Sequence, residues 1–385
     1  MSNTSKEILN KAHLIASTSL RKCYTSDGII AGTHHFVDIW GRDALFASLG
    51  SLTLGDFDIV KTTLHQFITH QKNDGQIPYR LMRSKTTIGK YFGHPTFLKE
   101  LKAEFRSRQS GGTVLDVGLL LIIVCSKYVE KTNDIQFLRD NYDSLRKTIE
   151  WYKNKSKNGL LWEWFQCGWE DAVFKSGYTF YTNILYWIAL DSIKKMGSYI
   201  NDSENVVRWA EQQDKLKATL DIRFYNGHYY IDWIDYKNHN FFDAYANFLA
   251  VVFNFVDGIK VNSIIEFVQK NTVLDFTVLK TYPALPKRRI PVINYLVGMG
   301  DYQNGFLWLQ PGLMYCIALL KLGLVNEARD RLLKVSEKFI EYDEVFEVFE
   351  KDGTPVNRLQ YKSEKDFAWN AGLFIWAYDL LESTH

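Results

Sequence analysis

The feature that most constrains this chain is a regular alternation in the character of its helices. Apolar periodicity, read against cap and breaker residues, predicts about twelve helices. They lie near residues 5–21, 42–54, 57–71, 115–130, 135–154, 178–199, 203–224, 241–255, 261–269, 306–322, 325–340 and 366–381. Every second one is nearly uncharged and rich in Leu, Phe, Tyr and Trp, as in Phe306-Leu307-Trp308-Leu309-Gln310-Pro311-Gly312-Leu313-Met314-Tyr315. Those between them carry charge on one face, as in Ser203-Glu204-Asn205-Val206-Val207-Arg208-Trp209. A helix that is apolar all round is buried on every side, whereas a helix with one charged face lies at a surface. Six of each describe an inner ring inside an outer ring.

The connections fit that arrangement. Joins from an apolar to an amphipathic helix are short, as at Gly55-Asp56 and Gly323-Leu324, while the return joins are long, the longest running over residues 72–114. Long irregular segments in a compact domain are usually functional, and here they would gather at one end of the ring. At 385 residues the length leaves two domains or one large barrel open. The alternation points to an all-α fold, an (α/α)6 barrel or six-hairpin toroid, with residues 1–385 as a single domain. Two short β-like pieces, at 229–231 and, if not helical, at 260–263, would only decorate loops.

Charge and cysteine usage narrow the function. With 46 basic and 44 acidic residues interleaved, a net charge of +2 leaves no basic stripe of the kind nucleic acid requires. Residues 117–124, the longest apolar run, fall far short of the roughly 20 residues of a membrane span. The amphipathic N-terminal segment lacks the layout of a signal peptide. Cys23, Cys125, Cys167 and Cys316 show no paired spacing, which suits reduced thiols. A soluble, cytoplasmic protein is therefore expected, with no nucleic-acid or membrane partner. No HExxH, phosphate loop, dinucleotide fingerprint or calcium loop occurs, so neither cofactor nor metal is expected.

Polar residues just before the buried helices should share a pocket. In chain order they include Asp38, Trp40, Arg42 and Asp43; Gln76 and Arg80; Thr113 and Asp116; Trp169, Glu170 and Asp171; His239, Asn240 and Asp243; Gln303, Asn304 and Trp308; and Glu347, Glu350, Trp369 and Asn370. Carboxylates, amides, an arginine and several tryptophans suit a carbohydrate. Breaking a glycosidic bond needs an acid for the leaving oxygen and a second carboxylate to activate water or to attack. Glu170 or Asp171, in a loop behind Trp169, fits the acid, because a desolvated site raises a carboxyl pKa. Glu347 offers the partner. Structural readings stand beside these: Arg42-Asp43 as a helix cap with a salt bridge, Glu170-Asp171 as a solvated cap, Glu347 as part of a charged face, and the tryptophans as core.

The segment Asp38-Ile39-Trp40-Gly41-Arg42-Asp43-Ala44 with Asp74-Gly75-Gln76-Ile77-Pro78 resembles the "FGRDT…DGLIPN" signature of the glucosidase part of glycogen debranching enzymes. Trp169-Glu170-Asp171-Ala172 is similar to that family's "WMDA", Asn304 to Trp308 with Gln310-Pro311 to its "NGxxWxxP", and Glu347 to Gly353 to its "ELxxxxG". The resemblance covers about residues 36–372 and is specific at the level of the wider glucoamylase-like clan. It implies an exo-acting, inverting α-glucosidase in which Arg42 and Asp43 bind the terminal glucose, Asp171 is the general acid and Glu347 the general base. Trp40, Trp169, Asn304, Trp308 and Trp369 would complete the sugar site. Glu170 stands where the family has Met, and other members of the clan carry the acid directly after the Trp, which keeps Glu170 beside Asp171 as a candidate. The chain has neither a transferase barrel nor a preceding β-sandwich, so a small oligosaccharide is the expected substrate. A sugar epimerase and a non-catalytic carbohydrate sensor are the competing readings. The first would need paired catalytic histidines and the second would bind without turnover.

Overall fold

A computed structural model describes residues 3–86, 94–359 and 361–384. Residues 87–93, inside the long 72–114 connection, lie outside it. Twelve helices of nine residues or more occur among the described residues: α1 Asn3–Lys22, α2 Gly41–Leu54, α3 Phe57–Thr69, α4 Asp116–Thr132, α5 Ile135–Lys155, α6 Phe180–Tyr199, α7 Ser203–Phe224, α8 Ala244–Val252, α9 Gly258–Asn271, α10 Leu309–Lys321, α11 Val325–Tyr342 and α12 Ala368–Glu382. The apolar ones form a closed ring: α2 packs on α4, α4 on α6, α6 on α8, α8 on α10, α10 on α12, and α12 back on α2. This is the (α/α)6 barrel that the alternation predicts. Tyr181, Tyr186, Tyr245, Tyr315, Phe46 and Phe180, all from ring helices, are among the largest fully buried side chains.

Each charged helix packs outside the ring beside its partner in sequence, α3 on α2, α5 on α4, α7 on α6, α9 on α8 and α11 on α10, while α1 packs on α11 and α12. The tight joins have a backbone reason. Gly55 and Gly323 sit at φ +77° and +76°, the left-handed region where glycine carries no side-chain penalty. No helix among the described residues is long and apolar enough to cross a membrane.

The site end contains more sheet than the two expected pieces. Strands β1 Tyr24–Thr25 and β2 Gly28–Ile29 pair, and β3 Ile39–Trp40, β4 Arg80–Ser84 and β5 Phe97–Glu104 make a three-stranded sheet. A five-stranded antiparallel meander joins β6 Trp162–Glu163, β7 Gly177–Thr179, β8 Ile231–Ile234, β9 Asn238–Asp243 and β10 Thr281–Tyr282. The last pair is β11 Leu307–Trp308 with β12 Val348–Phe349. Three ring helices therefore start later than periodicity suggests, because β7, β9 and β11 run directly into α6, α8 and α10, as β3 runs into α2. Residues 178–179, 241–243 and 307–308 are strand, and 260–263 is helix. Runs of two to six residues that double as helix entries give no clean period to read. Each strand end fixes where the next ring helix begins, and so where its first side chains point.

Candidate active site

The first turns of the ring helices converge. Gly41 opens α2 with its N–H bonded to Tyr79 O at 2.9 Å, and a Cβ there would lie 2.3 Å from Val117 of α4. Only glycine lets these two helix starts come so close. Arg42 Nε then donates to Asp116 Oδ2 at 2.5 Å, and Tyr181 at the start of α6 donates to the same oxygen at 3.3 Å. Across the ring, Trp369 Nε1 of α12 bonds the Tyr245 hydroxyl of α8 at 3.1 Å. Helix N-termini carry partial positive charge, so the convergence favours carboxylates at this end.

A cleft opens here, with Trp40, Arg42, Asp43, Gln109, Cys167 and Asp171 among its walls. Asp171 Oδ2 lies 3.8 Å from Arg42 Nη1, and its side chain keeps 38% exposure to the cleft. Burial within the surrounding protein pushes its pKa up to about 6, against the lowering pull of Arg42. Asp43 is raised further, to about 7, by burial, with Arg42 lowering it and the charges of Glu347 and Asp171 raising it. Asp43 and Asp171 both line the cleft, and the charge of Glu347, which does not line it, reaches Asp43 as well.

Glu347 is 1% exposed and is gripped at both oxygens. Tyr302 donates to Oε1 at 2.6 Å and Tyr361 to Oε2 at 2.7 Å. Burial raises its pKa while the two hydroxyls lower it, leaving it above the ordinary range. Its backbone is fixed as firmly: Asn370 Nδ2 bonds the carbonyl of Glu347, and the Glu347 N–H bonds Glu364 O. The next residue, Val348, pairs with Trp308 across β11 and β12.

Glu170 points elsewhere. It is 2% exposed, Lys175 Nζ lies 2.5 Å from Oε2, Lys280 Nζ bonds Oε1, and the Thr281 hydroxyl donates to Oε1 at 2.7 Å. Burial would raise its pKa, but the two ammonium groups hold it well below the usual carboxylate range. A carboxylate fixed as the anion has no proton to give. The neighbouring residue has the opposite surroundings, and the pair divides between an anchor and a candidate acid.

The predicted binding residues also divide. Trp40, Arg42 and Asp43 line the cleft beside Asp171. Trp169, Trp308 and Trp369 are only 2%, 4% and 3% exposed and are not among the cleft's walls; they belong to the aromatic core, where Trp169 packs against Tyr245 and Trp308, and Trp369 against Tyr245. Asn304 is not brought to the cleft: its amide donates to Leu285 O at 2.9 Å and accepts from Leu285 N at 2.7 Å. Asp38 binds the backbone of Arg83 and Ser84, Arg80 pairs with Glu104, and Glu350 pairs with Arg358. Asp243 caps α8 and receives Trp169 Nε1 at 2.9 Å, while His239 stacks on Trp233 beside Asp235. Sequence reasoning missed Tyr302, Tyr361, Lys175 and Lys280. No spacing marks them, since their partners are 5 to 110 residues away.

Two groups have metal-ligand types close together: His34, His35 and Glu364, and Glu170, Asp232 and Asp243. Their chemistry fits hydrogen bonding. Glu364 accepts backbone N–H groups of residues 34–36 and lies 2.7 Å from His35 Nδ1. In the second group the Lys175 ammonium, 2.5 Å from Glu170 and 2.8 Å from Asp232, already stands where a cation would.

A family model described as bacterial alpha-L-rhamnosidase 6 hairpin glycosidase domain matches residues 2–272. Trehalase 1 of Sulfolobus acidocaldarius is 30% identical over 96 residues, 25% of this chain and 16% of that protein. Among solved structures, a Klebsiella oxytoca rhamnosidase with rhamnose bound superposes with a TM-score of 0.71 at 13% identity, covering 100% of this chain and 65% of that one. A GH63 mannosylglycerate hydrolase from Thermus thermophilus, in complex with Tris, gives 0.68 at 14% identity, covering 94% and 99%. The chain thus spans about two thirds of the rhamnosidase. At these identities the superpositions speak for the fold.

Proposed function

The chain belongs to the bacterial α-L-rhamnosidase six-hairpin glycosidase family, and from that premise we propose that it is an exo-acting, inverting glycoside hydrolase whose substrate is an α-glucoside. One observation carries the proposal: two carboxyls of unlike surroundings, Asp171 in the cleft wall and Glu347 buried behind it, both act by charge on Asp43, which also lines the cleft. Asp171 has a raised pKa, to about 6, and cleft exposure, and Glu347 is held between two tyrosine hydroxyls. Pairs of titratable groups set apart in this way are how one site supplies both an acid and a base.

In this mechanism Asp171 gives its proton to the glycosidic oxygen as the bond to the anomeric carbon breaks. Glu347 takes a proton from a water that attacks the opposite face, so configuration inverts. The tyrosines suit that role, since they hold the carboxylate in orientation while it accepts a proton. Arg42, anchored by Asp116, presents its remaining N–H groups to sugar hydroxyls, and Asp43 accepts from them. Trp40, in the cleft wall, flanks the ring. Glucose is supported by the likeness of Trp40 to Asp43 and of Asp74 to Pro78 to the debranching glucosidases.

A rhamnoside is the second reading, favoured by the family whose model matches. The test is steady-state sugar release from isomaltose, maltose, panose, trehalose and an α-L-rhamnoside, with Asp171→Asn and Glu347→Gln alongside. Glucose release abolished in both variants is the expected result. Rhamnose release alone would favour the second reading, and tight sugar binding without turnover would replace hydrolysis by a sensor.

A further inference from the structure

Two indoles outside this cleft also sit at the site end. Trp162 and Trp164 keep 41% and 49% of their surface exposed. They lie two residues apart where the chain runs extended through β6, a spacing that turns both to one face. With Thr113, Leu115, Lys155 and Leu161 they line a recess of about 210 Å³ open to solvent. Both rings are braced: Trp162 meets Tyr178 edge-on with centroids 5.0 Å apart, and Trp164 packs on Phe165 at 5.0 Å. Gly112 presses so close that a Cβ would lie 2.8 Å from Trp164 and 2.6 Å from the Cys167 sulfur.

The recess adjoins the cleft through one loop. Ser107, Gln109 and Val114 face the cleft, whereas Thr113 and Leu115 face the recess. Cys167 lines the cleft while Gly112 packs against both it and Trp164. Fixed indole faces with a hydroxyl and an ammonium at their edge match a pyranose, which has apolar C–H faces and an equatorial rim of hydroxyls.

We propose that this recess is a second sugar subsite, which takes a non-reacting unit of the oligosaccharide whose terminal residue is cleaved in the cleft. The proposal deepens the hydrolase reading and rests on it for the identity of the chain. Trp164 and Trp162 supply the stacking faces, and Lys155 and Thr113 the hydroxyl contacts. The substrate class is an oligosaccharide of three or more units in preference to a disaccharide.

The test measures kcat/KM for isomalto- and malto-oligosaccharides of two to six units with wild type, Trp162→Ala, Trp164→Ala and Trp164→Tyr. Wild type should favour the longer chains. Trp164→Ala should cut the ratio of hexasaccharide to disaccharide kcat/KM at least tenfold, and Trp164→Tyr, which restores a flat face, should recover most of it. A ratio unchanged in both alanine variants overturns the subsite. A second readout needs no turnover: hexasaccharide titrated into the Glu347→Gln protein should quench tryptophan fluorescence more than a disaccharide, which reaches only Trp40 in the cleft, and adding Trp164→Ala should remove that excess. An excess that persists without both indoles also overturns the proposal. Quenching by the indoles in a protein that cleaves none of these sugars supports the subsite while contradicting the hydrolase reading, so the two fail separately.

Discussion

At the scale of the residue, the chemistry turns on the difference between Glu170 and Asp171. Replacing Asp171 by Asn should lower kcat by a factor of about 100 or more, within the usual contribution of a positioned proton donor, and leave the unfolding midpoint nearly unchanged. Replacing Glu170 by Gln should instead destabilise the fold by about 3–5 kcal/mol, read by denaturant unfolding, because it leaves buried lysines short of a counter-charge. The pH profile has its own signature. Asp171 must be protonated, so kcat/KM should fall as pH rises through about 6. Glu347 must be ionised, so the acidic limb should lie above the ordinary Glu range. Asp43, raised to about 7 by burial, prefers its proton in the folded state. Its contribution to stability is complete below the unfolded pKa and lost as pH rises through the folded one. Asp43→Asn should therefore raise the melting temperature at pH 8 relative to wild type while losing activity. Sequence placed both members of the Glu170-Asp171 pair in the site but could not separate their roles. The separation is made by Lys175 and Lys280, the second of which is 110 residues from Glu170.

At the scale of the element, the helices were legible and the strands were not. A ring helix such as α4 is apolar through some three turns, a strong signal in any window. By contrast β11 and β12 are two residues each, and only their pairing brings the Glu347 turn beside Trp308. The same locality hid the grip on Glu347, since Tyr302 precedes β11 and Tyr361 follows β12 without any periodic relation. Both hydroxyls favour the ionised base, so removing either raises its pKa further. Tyr302→Phe and Tyr361→Phe should each move the acidic limb of the pH profile upward and leave the alkaline limb in place, measured as kcat/KM against pH on one substrate.

At the scale of the whole molecule, the ring closes where the first ring helix meets the last. A Cβ on Gly50 of α2 would stand 2.4 Å from the Gly372 Cα of α12, and one on Gly372 would stand 2.7 Å from the Ala47 Cα. These backbones touch, and side chains cannot be added without moving a helix. Gly372→Val should cost at least about 1–3 kcal/mol, the range of overpacked cores. We propose that residues 1–385 form one domain, since the contacts that close the ring join opposite ends of the chain. Far- and near-ultraviolet circular dichroism should then report a single coincident thermal transition, and two separated transitions would contradict this.

The most direct test of the central claim, an acid at Asp171 and a base at Glu347 acting on one α-glycosidic bond with inversion, is proton NMR of the first sugar released. The substrate is whichever of isomaltose, maltose, panose or trehalose the enzyme cleaves, observed before mutarotation. The β-anomer of glucose should appear first, and neither Asp171→Asn nor Glu347→Gln should produce it. Release of the α-anomer first, or undiminished release by either variant, would contradict the claim.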